Sequence, residues 1–262
     1  MSSASASIVA MSRTKRSFAV TKIAADGTRD TRAGQVEVEE PLEIRAGGRE
    51  IAHLLRTPGH DIELAHGVLL TQGLIGGAND VVTARYCEGA VGGENTYNLL
   101  DIDLSRPTTA PQFIDPIPAQ ACGISAEQRV RELAVRLNVR AEFAPIDPDE
   151  VFAVPGVVAT HRSRNLITAV AGDIARQDIN PVNAVQKISG RLLIDDSLPA
   201  NRTLTLDTRV TFEVMRAAAA AGFTAVATTK DVTSMAVQLA RETNTVLIGD
   251  ITAERFSVYS GA

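Results

Sequence analysis

Residues 204–250, LTLDTRVTFEVMRAAAAAGFTAVATTKDVTSMAVQLARETNTVLIGD, decide the fold. An apolar strand-like run from Leu204 gives way to helical spacing over Val210–Ala221, which stops at Gly222. Thr224–Thr228 reads as the next strand. Asp231 is placed to cap a second helix carrying Val232, Met235, Ala236 and Leu239, and Thr245–Gly249 is a third strand. Strand–helix–strand–helix–strand in this order predicts an α/β sheet with parallel pairs. Ligands of such sheets gather at the carboxyl ends of the strands, here Thr228-Thr229-Lys230 and Gly249-Asp250.

Upstream, Asn180 caps a helix with Pro181 in its first turn and Val182, Val185 and Ile188 on its inner face. Asn165–Ala171 is a strand, and Pro145–Pro155 holds a short helix at most. Before these, Ser125 and Gln128 have the spacing of a capping box, followed by Val130, Leu133, Ala134 and Leu137 at helical intervals. Cys122 therefore lies in a loop just ahead of a helix N-terminus, whose partial positive charge favours the nucleophilic thiolate. Taken alone, the residues leave two readings open: a reactive thiol, or an inert buried cysteine.

The Pro107–Pro118 segment reads as an extended connector. Tyr86 and Tyr97–Ile102 lie in strand-like alternation, whereas Ile62, Ala65 and Leu69 give one helical face up to Gly73. From Phe18 to Arg56 short antiparallel strands are expected, with turns at Asp26-Gly27 and Gly47-Gly48. The organisation expected is a disordered tail over 1–17, a β-rich part over 18–110 with a helix at 61–72, and an α/β domain over 111–262.

Composition limits the function classes. The chain has 262 residues, 45% hydrophobic, and a net charge of −5, which gives no general attraction to nucleic acid or an anionic membrane. Aromatics are only 4% and tryptophan is absent, against stacking on single strands. Two cysteines, Cys87 and Cys122, are too few for a disulfide framework or a four-cysteine zinc site, which fits a reducing cytoplasm. No apolar stretch reaches membrane-spanning length. The H-x-E and P-C-x-x-C zinc pattern of nucleobase deaminases and the G-x-G-x-x-G dinucleotide motif are both absent.

Several segments together resemble the formate dehydrogenase accessory sulfurtransferases, the FdhD family. Glu40-Pro41-Leu42-Glu43-Ile44 matches its E-P-L-x-I strand, and Thr57–Leu69 is similar to its T-P-x-x-D-x-E-L-A-x-G-x-L signature. Cys122-Gly123 falls where the family has its cysteine loop. Arg176–Asn180 and Asn183–Gly190 resemble R-E-D-V-G-R-H-N-A-V-D-K-x-x-G, and Arg209, Phe212-Glu213, Thr233–Ala236 and Arg255–Tyr259 continue the likeness.

The resemblance implies a cytidine deaminase-like α/β fold with an N-terminal β-rich subdomain, usually homodimeric. It also implies a carrier that accepts sulfur as a persulfide from a cysteine desulfurase. That sulfur passes to the molybdenum bis(molybdopterin guanine dinucleotide) cofactor of formate dehydrogenase or a related molybdoenzyme. By motif position Cys122 is the persulfide residue, and Asp250, Ile251, Thr252, Ala253, Glu254 and Arg255 hold the cofactor; no resident metal is implied.

The departures bear on the chemistry. The second cysteine of the family's C-x-x-C loop is Ser125, which keeps a helix cap but cannot resolve a disulfide. Pro155–Ala159 stands in place of T-G-G-x-H, so the family histidine becomes Ala159, with His161 two residues on. Asn180-Pro181-Val182 replaces G-R-H. These losses keep a second expectation in view: a divergent paralogue that binds cofactor or partner without moving sulfur.

Among single residues, Asp61 and Glu63 open a helix where carboxylates suit the dipole. His60 lies in an exposed loop, His66 is read as a packing or helix-surface residue, and Cys87 as packing. Lys187, Arg209, Lys230 and Arg255 are possible phosphate contacts, each weighed against solvated surface charge.

Overall fold

The computed structural model describes residues 14–87, 90–91, 94–95, 97–107, 126–137, 139–163, 165–198 and 202–262. The chain begins with a two-stranded ribbon, β1 (Lys15–Ile23) and β2 (Arg29–Glu37), paired in register from Lys15↔Glu37 to Ile23↔Arg29. Its turn is closed by the Thr28 amide donating to Asp26 Oδ1 (2.9 Å), with Gly27 at φ +84°. Lys15, Arg16 and Ser17 are thus strand residues, not part of a disordered tail.

Strands β3 (Glu40–Ala46) and β4 (Arg49–Arg56) form the next hairpin. Gly47 and Gly48 both have positive φ, as a two-residue primed turn requires. Then come α1 (Asp61–Thr71), β5 (Val81–Tyr86), the short pair β6 (Ala90–Val91) and β7 (Glu94–Asn95), and β8 (Leu99–Leu104). The resulting sheet has the order β4-β3-β8-β5. Its inner face, Leu42, Ile44, Leu100 and Ile102, is sealed by Leu64, Val68 and Leu69 of α1.

The rest of the chain supplies α2 (Ala126–Arg136), α3 (Pro148–His161), β9 (Ile167–Ala171), β10 (Ile174–Asp178) and α4 (Pro181–Ile194). It ends with β11 (Thr203–Leu206), α5 (Phe212–Ala220), β12 (Ala225–Thr228), α6 (Ser234–Glu242), β13 (Val246–Gly249) and β14 (Ser257–Ser260). The six-stranded sheet runs β10-β9-β11-β12-β13-β14, parallel across β11, β12 and β13 and antiparallel at its flanks.

Alternation along these strands sets the layers. Leu204, Leu206, Val226 and Leu247 face the helices α4, α5 and α6, while Ala225, Ala227, Val246 and Ile248 face α3 on the other side. Helix α2 joins the first layer through Val130, Ala134 and Leu137, as its periodicity predicted. Asn180 caps α4 as expected, its Oδ1 accepting from the Val182 amide at 2.8 Å.

Two local expectations are corrected. Pro145–Pro155 was expected to hold a short helix at most, but α3 runs fourteen residues with Pro155 inside it. A prolyl nitrogen removes one helical bond; burial of Val151, Val154 and Val158 against the sheet outweighs that loss. Asp231 does not cap α6, which starts after Thr233. Its carboxylate turns to Arg209 instead, at 2.7 Å.

The two sheets are joined by helix α1 lying on helix α4. They cross on glycine: a Cβ on Gly67 would stand 1.9 Å from the Gln186 carbonyl oxygen, and one on Gly190 1.8 Å from that of Glu63. No side chain fits between them.

Candidate functional site

At the carboxyl ends of the parallel strands three short loops meet. The Asp250 amide donates to the Lys230 carbonyl (2.9 Å) and that of Ile251 to Thr228 (3.4 Å), laying the loop after β13 across the end of β12. Thr228 Oγ1 donates to the Thr208 carbonyl (2.6 Å) and accepts from the Lys230 amide (3.1 Å), tying the ends of β11 and β12. Asp250 adopts φ +54°, a left-handed conformation that non-glycine residues keep only when surroundings enforce it. Here Tyr259 donates to its carboxylate, and that bond pushes the Tyr259 phenol above its ordinary value.

Thr252 closes the remainder of the segment. Its amide donates to the Arg255 carbonyl (2.9 Å), and its hydroxyl oxygen accepts from the amides of Glu254 (3.3 Å) and Arg255 (3.1 Å). Ile251 is buried against α3, whereas Thr252, Ala253, Glu254 and Arg255 are exposed. Asp250 and Ile251 therefore shape the loop, and the outward groups are those of 252–255.

Charge is distributed unevenly at this corner. Arg209 makes a two-pronged pair with Asp231, which holds that carboxyl below its ordinary value. Lys230 and Arg255 have no ion-pair partner among the described residues and are exposed. The N-caps of α5 and α6, Thr211 and Thr233, make no side-chain cap bond, and the residues before them, Val210 and Val232, bridge in parallel. Two helix N-termini thus open side by side, with Lys230 just ahead of the second; such a corner favours a phosphate or other anion.

A second polar cluster lies where α1 begins. Arg56, 1% exposed, donates from Nε (3.1 Å) and Nη2 (2.7 Å) to Asp61 Oδ2, which also accepts from the Tyr86 hydroxyl (2.9 Å). Burial and the Asp61 carboxylate push the Tyr86 phenol well above its usual range. Deeper still, Lys187 (1% exposed) meets Asp178 Oδ2 at 2.7 Å and the Thr57 carbonyl at 2.9 Å. Asp178 also accepts from the amides of Thr57 (3.2 Å) and Asn180 (2.9 Å) and from Asn183 Nδ2 (3.2 Å).

Nearer the surface, Glu63 is clamped by Arg176 (Nη2–Oε1 2.8 Å), with His60 Nδ1 at 3.3 Å. Burial pushes the Glu63 carboxyl up, but the Arg176 guanidinium and the His60 imidazole outweigh it and hold it at about 2.

Sequence-based expectations divide accordingly. Cys122 and Ser125 lie outside the described residues. Lys187 is no phosphate contact, being sealed in a buried ion pair. Asp61 and Glu63 are ion-paired, tying the start of α1 to Arg56 of β4 and Arg176 of β10. His60 is exposed, in a left-handed conformation. His66 is buried with Nδ1 2.7 Å from the Ile62 carbonyl, and burial lowers its pKa. His161 ends α3, exposed, and Cys87 is half-buried just after β5. Arg56 and Arg176, which anchor the ion pairs, were not singled out by sequence; only their places beside the Thr57-Pro58 turn and ahead of Asp178 could have flagged them.

Glu43, Glu50 and His53 are the one described group close enough to share a metal ion, but Arg45 already pairs with Glu43 and His53 with Glu50. No helix among the described residues is long and apolar enough to cross a membrane.

Comparison with known proteins agrees with the motifs. The FdhD/NarQ family model matches residues 37–262. The chain is 34% identical over 256 residues to the sulfur carrier protein FdhD of Corynebacterium efficiens, covering 88% of this chain and 91% of that protein. It is 35% identical over 246 residues to the sulfur carrier protein FdhD of Nocardia farcinica, covering 88% of each. The fold matches a crystal structure described as a formate dehydrogenase accessory protein from Desulfotalea psychrophila, with a TM-score of 0.70 at 18% identity over 94% of this chain and 97% of that one. The chain belongs to the FdhD/NarQ family.

Proposed function

We propose that this protein is a sulfur carrier acting through Cys122 in the activation of a formate dehydrogenase or a related molybdoenzyme. The observation that carries the reading is membership of the FdhD/NarQ family over nearly the whole chain, with a cysteine standing at the family's loop position. The Cys122 thiolate attacks the terminal sulfur of a cysteine desulfurase persulfide. The desulfurase S–S bond breaks, its thiolate leaves, and the sulfane sulfur stays on Cys122 as a new persulfide. One thiolate suffices for this step, so Ser125 removes dithiol chemistry but not carriage.

The acceptor is the molybdenum bis(molybdopterin guanine dinucleotide) cofactor, bound as cargo. Its nucleotide end is assigned to the corner formed by residues 250–255. Support comes from Lys230 and Arg255, exposed and without an ion-pair partner among the described residues, and from the starts of α5 and α6, which lack a side-chain cap bond. A cytoplasmic homodimer fits the family resemblance and the presence of only two cysteines in the chain.

The replacement of the second loop cysteine by Ser125 favours one competitor, a protein that binds the cofactor without moving sulfur. Complementation separates them. In a host lacking its own sulfur carrier of this family, the wild-type protein should restore formate dehydrogenase activity and Cys122→Ala should not. Equal restoration by both would establish the binding-only reading, and restoration by neither would reject both.

A further inference from the structure

The loops that enter α5 and α6 repeat one pattern. Arg209-Val210-Thr211 leads into α5 and Asp231-Val232-Thr233 into α6, each threonine standing at an N-cap without a side-chain cap bond. Backbone bonds hold the two loops together. The Val210 amide donates to the Asp231 carbonyl (3.2 Å) and the Thr233 amide to the Val210 carbonyl (3.0 Å). Equivalent places in the two loops therefore carry opposite charges, and those charges meet. Arg209 Nε lies 2.7 Å from Asp231 Oδ1, and Nη2 2.7 Å from Oδ2, a fork-to-fork pair just ahead of both helices.

The pair borders the 250–255 loop. The Asp250 amide donates to the carbonyl of Lys230, the residue before Asp231. A Cβ on Gly249 would stand 3.0 Å from that carbonyl oxygen and 3.1 Å from both Val232 Cγ1 and Tyr259 Cε2, so the segments pack closely here. The Asp231 charge reaches the Tyr259 phenol, which donates to Asp250.

Two properties set what this pair can do. The Arg209 side chain is 59% exposed and that of Asp231 51%, whereas the Lys187–Asp178 pair is sealed from water. An exposed pair contributes little to stability, so opening it costs little. The guanidinium fork also fits a phosphate in the same two-pronged geometry as a carboxylate. A phosphate placed there meets two helix N-termini as well, neither of which Asp231 caps.

We propose that Asp231 is an internal competitor for Arg209. A phosphate group entering the corner takes the guanidinium from the carboxylate, and Arg209 becomes a third basic contact beside Lys230 and Arg255. The exchange presupposes the nucleotide end of the cofactor at the 250–255 corner, and it names the residue that limits affinity there. A contact that the protein itself can take back suits cargo that must be handed on. The two partners of one ion pair then act with opposite sign: loss of Arg209 weakens binding, and loss of Asp231 strengthens it. A pair that served only the fold would do neither.

The test is titration calorimetry of the full-length protein with guanosine diphosphate. Asp231→Asn should tighten binding about two- to fivefold, the strength of one exposed ion pair. Arg209→Gln should weaken it roughly tenfold, the scale of one charge-assisted bond. Adding Asp231→Asn to Arg209→Gln should change nothing further, because the competitor has lost what it competes for. Equal tightening in both backgrounds would reduce Asp231 to simple charge repulsion and overturn the exchange. Unchanged affinity in either single variant, or weaker binding in Asp231→Asn, would overturn it too. No binding by wild type or any variant would instead remove the nucleotide from the corner, and the exchange with it.

Discussion

Gly190 of α4 sits so close to Gly67 of α1 that a Cβ built on Gly190 would stand 2.8 Å from the Gly67 amide nitrogen. The two motifs most characteristic of the chain, Thr57–Leu69 and Asn183–Gly190, meet at this contact. Gly→Ala within a helix ordinarily favours the helix by up to about 1 kcal/mol. At either glycine the sign should reverse, because the new methyl must push two backbones apart, at a cost of about 3 kcal/mol or more. Urea unfolding of Gly67→Ala and Gly190→Ala measures it; an unchanged or raised midpoint would contradict the close crossing.

Lys187 and Asp178 form a pair with almost no access to water. Lys187→Met should therefore cost about 3–5 kcal/mol, since a buried carboxylate loses its counter-charge. Lys187→Met with Asp178→Asn should recover part of that loss. A surface lysine with a phosphate role would instead show normal stability and reduced ligand affinity.

Glu63 gives the fold an acid-sensitive joint. Its folded pKa of about 2 lies below the usual 4.5, so its contribution is fully present above about pH 4.5 and is lost as pH falls toward 2. The contribution is at most about 3 kcal/mol. The stability gap between wild type and Glu63→Gln should narrow steadily from pH 5 to pH 2. A gap independent of pH would show that the Arg176 clamp is not electrostatic in origin.

Arg255 and Lys230 are exposed and have no ion-pair partner among the described residues, whereas Arg209 is already committed to Asp231. Arg255→Ala and Lys230→Ala should each weaken guanine nucleotide binding roughly tenfold, the scale of one charge-assisted bond. Titration calorimetry with a guanine nucleotide reads this directly. Unchanged affinity in both variants would remove the nucleotide from this corner.

Elements set by local chemistry were legible from sequence. The Asn180-Pro181 start of α4, the turns at Asp26-Gly27 and Gly47-Gly48, and the alternation of β12 and β13 all depend on neighbours in the chain. What sequence did not reveal depends on distant partners. Pro155 stays helical because α3 is pinned to a sheet built mostly from residues after 200. Asp231 abandons a cap for Arg209, twenty-two positions away. Lys187 looked solvated because nothing near it in sequence showed that the Thr57 carbonyl and Asp178 would enclose it. At the candidate site, strand order pointed to the loops after β12 and β13, which lie against each other in the fold, but not to which of their charges were already paired.

The most direct test is intact mass after incubation with a cysteine desulfurase and cysteine. Wild-type protein should gain the mass of one sulfur atom, reversibly under thiol reductant, and Cys122→Ala should gain none. No gain in the wild type, or an equal gain in Cys122→Ala, would contradict sulfur carriage at position 122.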